Sequence, residues 1–535
     1  MVIFKILKRG KYRFIIHSGY IWAGSKSTVS SQYIGETGLG LGFYSSSSKS
    51  RIIIQGFKLI QKIERIMANR AKKTGFTADR ISNLPISLLH HILSFLPANE
   101  MVKTCLFSKN WRNLWFSAPS LRIDNIKFMY HPTTTSISFE QFVDFLLLTR
   151  GGSNIHKFSL HIEPEYENSD SESEADAEAE AEAVVKVPLN SSKVNAWILY
   201  ALRHNVEVID IKAYMSVTPL LFSCESLREL KLSLTGFVLD LPSSVNLPSL
   251  RVLHLNGVFI QAGQLDDTFF SAMPSLETLN LRDCSFSLKK LSIESTFNLT
   301  TLMMSGDFLA HVELSISAQN LKCLQLGPCY SGPIKNIRFK NNCIQLINAN
   351  IDFAVSCTES IIELFAALRN TSSLKLTSSF FRSFTTKLQN GLCIDDCIKA
   401  PFHSLTQLEI ATGFREEEAA VINDILYHSP SIEVLKIVML LNPYAVTIEE
   451  RSDAEEIIWS KLKLSHLKSV EINLFQATEI QIRFVKSLLA NALVLEDMII
   501  TTARSGSRNK PEMRKVGKEL LQYPRASPTV VMQFG

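Results

Sequence analysis

Few residues in this 535-residue chain have both the type and the spacing to do chemistry. Cys393 and Cys397 are the closest pair among nine cysteines, and no CxxC pair or paired framework accompanies them. A metal or disulfide role needs partners at set spacing, so the pair reads as two structural thiols in a reduced setting. His90 and His91 are neighbours in a helical stretch, where successive side chains diverge by about 100°. They cannot grip one metal together and read as a surface pair. Gly38, Gly40 and Gly42 lack the preceding strand, the GxxxxGK[ST] spacing and the apolar helix of a phosphate cradle. There is no HExxH, GxSxG or Walker lysine. The pattern predicts binding rather than catalysis, with no cofactor and no metal.

Charge narrows the partners. The formal net charge is +5. Residues 1–66 hold eleven Lys/Arg and two Asp/Glu, a net of +9, so residues 67–535 carry +5 − 9 = −4. Phosphate-backbone binding needs a concentrated basic face, and the body of this chain has none, which argues against nucleic acid. No apolar run reaches the roughly 18–20 residues of a membrane span. The first stretch is broken by Lys5, Lys8, Arg9, Lys11 and Arg13, unlike a secretory leader. The expectation is a soluble protein of the cytoplasm, the nucleus or both, and no membrane partner. Residues 1–76 read as a disordered or weakly ordered basic extension, with Met67 as an alternative start ahead of NRAKKTGFTADRISNLP.

From Asp79 the texture changes. Pro85 suits the opening of a helix, where its missing N–H is no loss. Ile86, Leu88, Leu89, Ile92, Leu93, Phe95 and Leu96 then recur at helical period with a wide apolar stripe, and Pro97 stops it. NEMVKTCLFSKNWRNLW supplies a second helical stretch with Val102, Cys105, Leu106, Trp111, Leu114 and Trp115. Roughly 45 residues cannot bury so much apolar surface alone, so part of it is expected to meet a partner.

Residues 79–124, DRISNLPISLLHHILSFLPANEMVKTCLFSKNWRNLWFSAPSLRID within 77–124, resemble the F-box of plant F-box proteins. The resemblance lies in the Leu84-Pro85 opening, the LLxxILSFLP run, and the ending Ser108-Lys-x-Trp111-Arg112-x-Leu114-Trp115. It implies docking on a Skp-type adaptor, which links to cullin and RING subunits. By the same resemblance the adaptor-facing residues are Leu84, Pro85, Leu88, Leu89, Ile92, Leu93 and Leu96, with Trp111 and Trp115 near a second contact surface. Some of these must also hold the module together.

The elements downstream are repetitive. Residues 125–190 read as a connector holding the acidic low-complexity run 163–183, with ten acidic residues between Glu163 and Glu182. Dense like charge without apolar residues predicts a solvated loop. Then apolar-x-x-apolar-x-apolar recurs from Val206, Leu227, Leu250, Leu276, Leu299 and Leu321, at intervals of 21, 23, 26, 23 and 22 residues. A period within about 20–29 residues on this template is that of leucine-rich repeats. Ile334-Ile337-Phe339 and Leu374-x-Leu376 are faint echoes. The pattern revives at Leu405, Ile432, Leu467 and Leu495. The expected fold is α/β: a short helical F-box, then a solenoid over 191–400 with parallel strands inside and helices outside. Residues 401–535, with SHLKSVEINLFQATEIQIRFVKSLLANALVLEDMII, resemble the FBD region of plant F-box/FBD/LRR-repeat proteins and continue the solenoid.

Strand alternation sends the residues flanking the buried leucines to the concave face: Glu229, Lys231, Val252, His254, Thr278, Asn280, Arg282, Thr301 and Met303. Of these, Glu229, Lys231, His254, Asn280, Arg282 and Met303 are the candidate substrate contacts. No RING-type Cys/His cluster and no recognisable catalytic cysteine are present. The resemblance therefore implies a non-catalytic substrate receptor of an SCF-type ubiquitin ligase, binding an unknown protein. Two other readings stay open, an adaptor-bound scaffold that sends nothing to ubiquitination and a small-molecule sensor built on the solenoid.

Overall fold

The computed structural model describes residues 81–107, 110–126, 138–166, 185–186, 189–261, 269–286, 288–293, 298–340, 345–389, 394–440, 459, 462–502 and 510–535, and three strands before residue 26. The Gly38–Gly42 patch, Met67, Cys393 and most of the acidic run lie outside the described residues. The chain divides into two compact units, Met1–Asp124 with Leu148–Asn154, and Asn125–Leu147 with Ile155–Gly535.

In the first unit, β1 (Leu7–Arg9), β2 (Tyr12–His17) and β3 (Tyr20–Ser25) form an antiparallel meander. Strands thus stand inside the segment expected to be disordered or weakly ordered. YRFIIH and YIWAGS are rich in the aromatic and β-branched residues that favour strands, a local preference that the search for helical period overlooked. The helical module follows with α1 (Ile86–Leu93), α2 (Ala98–Lys103), single 3-10 turns at Thr104–Leu106 and Leu114–Ser117, and β4 (Ser120–Asp124). Pro85 and Pro97 each stand just ahead of a helix in extended backbone. The Pro85 carbonyl accepts from the amides of Leu88 (3.0 Å) and Leu89 (3.1 Å), and the Pro97 carbonyl from Glu100 (3.0 Å) and Met101 (2.9 Å). The second expected helix is broken. The Thr104 hydroxyl donates to the Met101 carbonyl at 2.7 Å, a local bond that competes with helix propagation.

In the second unit one parallel ladder runs through the chain. Its rungs are β5 (Lys157–His161), then, beyond a small hairpin of β6 (Glu165–Tyr166) and β7 (Val185–Lys186), β8 (Val208–Lys212), β9 (Glu229–Val238), β10 (Val252–Ile260) and β11 (Thr278–Arg282). A short β12 (Ser285–Phe286) extends β10, and β13 (Lys290–Ile293) starts a second sheet. The ladder continues in β14 (Thr301–Ser305), while β15 (Glu313–Ile316) joins β13. β16 (Cys323–Leu326) is the next rung, and β17 (Asn336–Phe339) completes the second sheet. The remaining rungs are β18 (Asn348–Ile351), β19 (Ser373–Leu376), β20 (Gln407–Thr412), β21 (Val434–Met439), β22 (Ser469–Phe475), β23 (Asp497–Thr502) and β24 (Val531–Phe534).

The alternation of the template explains the ladder. Leu230, Leu253, Leu279, Leu302, Leu324, Ala349, Leu374, Leu408, Leu435, Val470 and Met498 fall in one register column, and all are buried. Each rung alone leaves that column wet, so stacking neighbours supplies the core. Three expectations need correction. Ile155-Phe158-Leu160 carries the same template and β5 pairs with β8, so the ladder begins inside the expected connector, ahead of residue 191. Leu346-Ala349-Ile351 is a rung hidden by a small residue in the middle place. Ile334-Ile337-Phe339, read as an echo of the ladder, belongs to the second sheet.

The outer side changes along the chain. Over the middle rungs it carries 3-10 turns at Phe270–Ala272 and Asp307–Ala310 and the parallel sheet β13–β15–β17. Helices were expected on the outer face, longer in the later repeats. Among the described residues, after α3 (Phe139–Thr149) and α4 (Ser191–Leu202), they return as α5 (Thr358–Leu368), α6 (Ser378–Gln389), α7 (Ile394–Cys397), α8 (Glu416–Tyr427), α9 (Glu479–Asn491) and α10 (Lys510–Gln522). Interval length alone does not set this, since the 25 residues from Asn348 to Ser373 enclose α5 and the 26 from Val252 to Thr278 hold a 3-10 turn among the described residues.

Gly306 closes a middle rung at φ +115, and its amide donates to the Pro328 carbonyl at 2.9 Å. A Cβ there would stand 2.8 Å from Asp283 Cα. Gly306→Ala is therefore expected to cost about 2–3 kcal/mol through strain and overlap. Hydrogen exchange at the Asp283 and Gly306 amides reads this directly, and unchanged protection would refute it.

Candidate functional site

Two surfaces, one in each unit, carry the features a binding protein needs. In the helical module, α1 packs Leu89, Ile92 and Leu93 inward at helical spacing, with relative exposures of 2%, 8% and 0%. Leu84, Trp111 and Trp115 are also buried, and the Trp111 indole N–H donates to Ser82 Oγ at 3.0 Å. The Arg150 guanidinium donates to the Trp115 carbonyl at 3.3 Å. These six residues, expected to face an adaptor, instead build the module's own core. Ala98, Met101, Leu114, Ala118, Leu121 and Ile123 are buried with them, and a segment this short needs nearly all its apolar side chains for a core. Of the remaining expected contacts, Pro85 is exposed, Leu88 is 40% exposed and Leu96 is half-buried.

Sequence reasoning missed the exposed apolar residues Ile86, Leu106 and Phe107, at 63%, 83% and 55% exposure. The break after α2 is what turns Leu106 and Phe107 outward, and a continuous helix would have hidden that. His90, expected at the surface, is half-buried, and its Nε2 lies 3.2 Å from both the Leu114 carbonyl and Ser117 Oγ. It ties α1 to the 3-10 turn at Leu114–Ser117.

In the ladder, residues between the buried ones align in outward columns. The register places Val208, Glu229, Val252, Thr278, Thr301, Cys323 and Asn348 in a first column. Asp210, Lys231, His254, Asn280, Met303, Gln325, Asn350, Lys375, Glu409, Lys436 and Glu471 form the second. Lys212, Ser233, Asn256, Arg282 and Ser305 form the third. The structure thus brings all nine expected concave residues onto one sheet face, half-buried except for the exposed Arg282.

Charges on this face are mostly paired. Lys231 meets Glu229, Lys375 meets Glu409 at 2.6 Å, and Lys436 meets Glu471 at 3.0 Å. The hydrogen bond from Asn473 and the Lys436 ammonium together hold the Glu471 carboxyl below the usual carboxylate range. Burial pushes the Asp210 carboxyl up, but hydrogen bonding to and charge on His161, 3.5 Å away, bring it below its ordinary value. Burial and the nearby Lys231 ammonium push His254 down, favouring its neutral form. Behind the face, burial pushes the Cys284 thiol up to about 12, which keeps it protonated and unreactive at neutral pH. Cys397 is buried as well, matching its reading as a structural thiol. Among the described residues no group of three or more His, Cys, Asp or Glu is placed to hold a metal ion. Among them, too, no helix is long and apolar enough to cross a membrane.

Comparison with known proteins agrees with both halves. The family model for the F-box domain matches residues 81–122, and that for the At1g61320/AtMIF1 LRR domain matches residues 179–523. The putative F-box protein At3g44060 of Arabidopsis thaliana is 25% identical over 476 residues, covering 84% of this chain and 99% of the relative. The F-box/LRR-repeat protein At2g42730 of the same plant is 26% identical over 493 residues, covering 85% and 97%. The F-box/FBD/LRR-repeat protein At4g26340, also from Arabidopsis thaliana, is 25% identical over 371 residues, covering 67% and 77%.

Proposed function

The chain belongs to the F-box/leucine-rich-repeat family, and from that premise we propose that it is the substrate-recognition subunit of an SCF-type (Skp–cullin–F-box) E3 ubiquitin ligase. The carrying observation is the union in one chain of an F-box with exposed apolar residues and a long ladder with a polar face. Ile86, Leu88, Leu106 and Phe107 are available to a Skp-type adaptor, since the buried leucines and tryptophans are spent on the core. The outward columns, Glu229, Lys231, His254, Asn280, Arg282 and Met303 among them, are available to the protein to be ubiquitinated.

No acid–base residue of this chain is required by the proposal. Tethering a client lysine beside a charged conjugating enzyme raises its effective concentration, which is a positioning role. The FBD-like residues 401–535 extend the same recognition face, because β20 to β24 continue the ladder in the same register columns up to Ile472–Ile500, beyond which β22 and β23 slip. The protein would work in the cytoplasm, the nucleus or both, where its thiols stay reduced.

The test is affinity purification of the full chain from cells, with client abundance followed after its loss. Adaptor and cullin are expected to co-purify, and at least one bound protein is expected to accumulate when the chain is removed. Adaptor without cullin, or bound proteins whose levels never change, would favour a scaffold and overturn the ligase role.

A further inference from the structure

The distribution of charge along the ladder singles out one place. On the flanking rungs the outward cations already have partners. Lys212 meets Glu163 at 2.5 Å, Lys231 meets Glu229, Lys375 meets Glu409 at 2.6 Å and Lys436 meets Glu471 at 3.0 Å. An anionic ligand arriving there would have to displace a carboxylate held in place by the fold. Over the middle rungs the second column is uncharged, with Asn280, Met303, Gln325 and Asn350.

Arg282 stands in the third column at these rungs and is exposed. Among the described residues its guanidinium has no ion-pair or hydrogen-bond partner; only its carbonyl accepts, from Cys284 Sγ at 3.3 Å. The register sets it between Asn256 and Ser305, two neutral side chains able to hydrogen-bond a ligand. Asp283 follows it in sequence at φ +49, is exposed, and makes no ion pair with it. Asp352, at the end of β18, accepts from Thr377 Oγ1 and is thereby engaged.

We infer that Arg282 reads a single acidic side chain on the client, and that the client segment is a peptide with one Asp or Glu set among uncharged polar residues. A guanidinium offers a planar fork that matches a carboxylate with two parallel hydrogen bonds, and none of the described residues has to be displaced from it. The neighbouring amides and hydroxyls suit Ser, Thr, Asn and Gln on either side. One guanidinium matches one carboxylate, which sets the number of acidic residues read at this place. A strongly basic segment is disfavoured by the same cation. The inference rests on the substrate-receptor reading above.

The experiment selects a displayed library of random 12-residue peptides on the full chain co-purified with its adaptor. The same library is selected in parallel on Arg282→Gln, Arg282→Lys and Arg338→Gln, the last removing an exposed cation on β17 of the second sheet. Wild type and Arg338→Gln are expected to enrich sequences with one Asp or Glu among Ser, Thr, Asn and Gln. Arg282→Gln should lose the acidic preference and bind a wild-type-selected peptide about tenfold more weakly, with Arg282→Lys between. The same acidic frequency on wild type and Arg282→Gln, enrichment of basic or apolar sequences, or no enrichment at all would overturn the inference. Adaptor and cullin in the same preparations separate the two failures. Their presence leaves the receptor reading standing when the peptide result fails, and their absence removes that reading.

Discussion

Leu88→Asp is expected to strip the Skp-type adaptor from this chain while leaving its fold intact. Leu88 is 40% exposed on α1, so a carboxylate there remains solvated in the free protein and costs the core little. In a complex the same carboxylate would be trapped against an apolar partner, a penalty of several kcal/mol. Adaptor recovery should fall by roughly 30-fold or more, at an unchanged melting temperature. Leu106→Asp, at a residue 83% exposed, should act in the same direction. Leu93→Ala provides the contrast. Leu93 is fully buried, and its truncation should cost about 2–5 kcal/mol of stability and reduce adaptor binding only by way of unfolding. Full adaptor recovery with both aspartate variants would sink the proposed docking face.

The second large effect lies in the ladder. Leu302 is fully buried on β14 and pairs in register with Leu279 on one side and Leu324 on the other. Leu302→Asp would place a charge without a partner between them, at a cost of several kcal/mol. A solenoid has only nearest-neighbour contacts to spread such a loss, so the break should be local and complete. Limited proteolysis is expected to open the variant near residue 302 and release a protected fragment, where the wild type resists. Uniform resistance, or uniform digestion with no protected fragment, would contradict nearest-neighbour stability.

Much of this was legible in the residues, for identifiable reasons. The ladder could be read because a two-residue alternation and a stable interval repeat many times, and errors at one rung do not propagate. The rungs that escaped notice broke one of those two regularities. Ala349 weakens the apolar template, and the rung of Phe158 stands before the acidic run, away from its neighbours in sequence. The second sheet was invisible because Ile337 and Phe339 alternate just as ladder residues do. Inside the F-box the difficulty was different. Ile86, Leu88, Leu89, Ile92 and Leu93 form one apolar stripe about 160° wide, and periodicity cannot say that its edges, Ile86 and Leu88, stay exposed while its middle is buried. Only packing separates Leu89 from Leu88. Arg282 was named from alternation alone, but its lack of a partner depends on where the carboxylates of other rungs reach.

The change on the outer side of the ladder has a mechanical consequence. Neighbouring strands advance by about 4.7–4.9 Å, whereas packed helices need about 8–10 Å. Where β13, β15 and β17 back the rungs β11, β14 and β16, both sides advance at the same pace and the stack has no reason to bend. From α5 onward the helical side needs more room per rung than the strand side. The stretch bearing Arg282 thus has strand spacing on both of its sheets, whereas the later rungs carry helices whose packing distance differs from that of their strands.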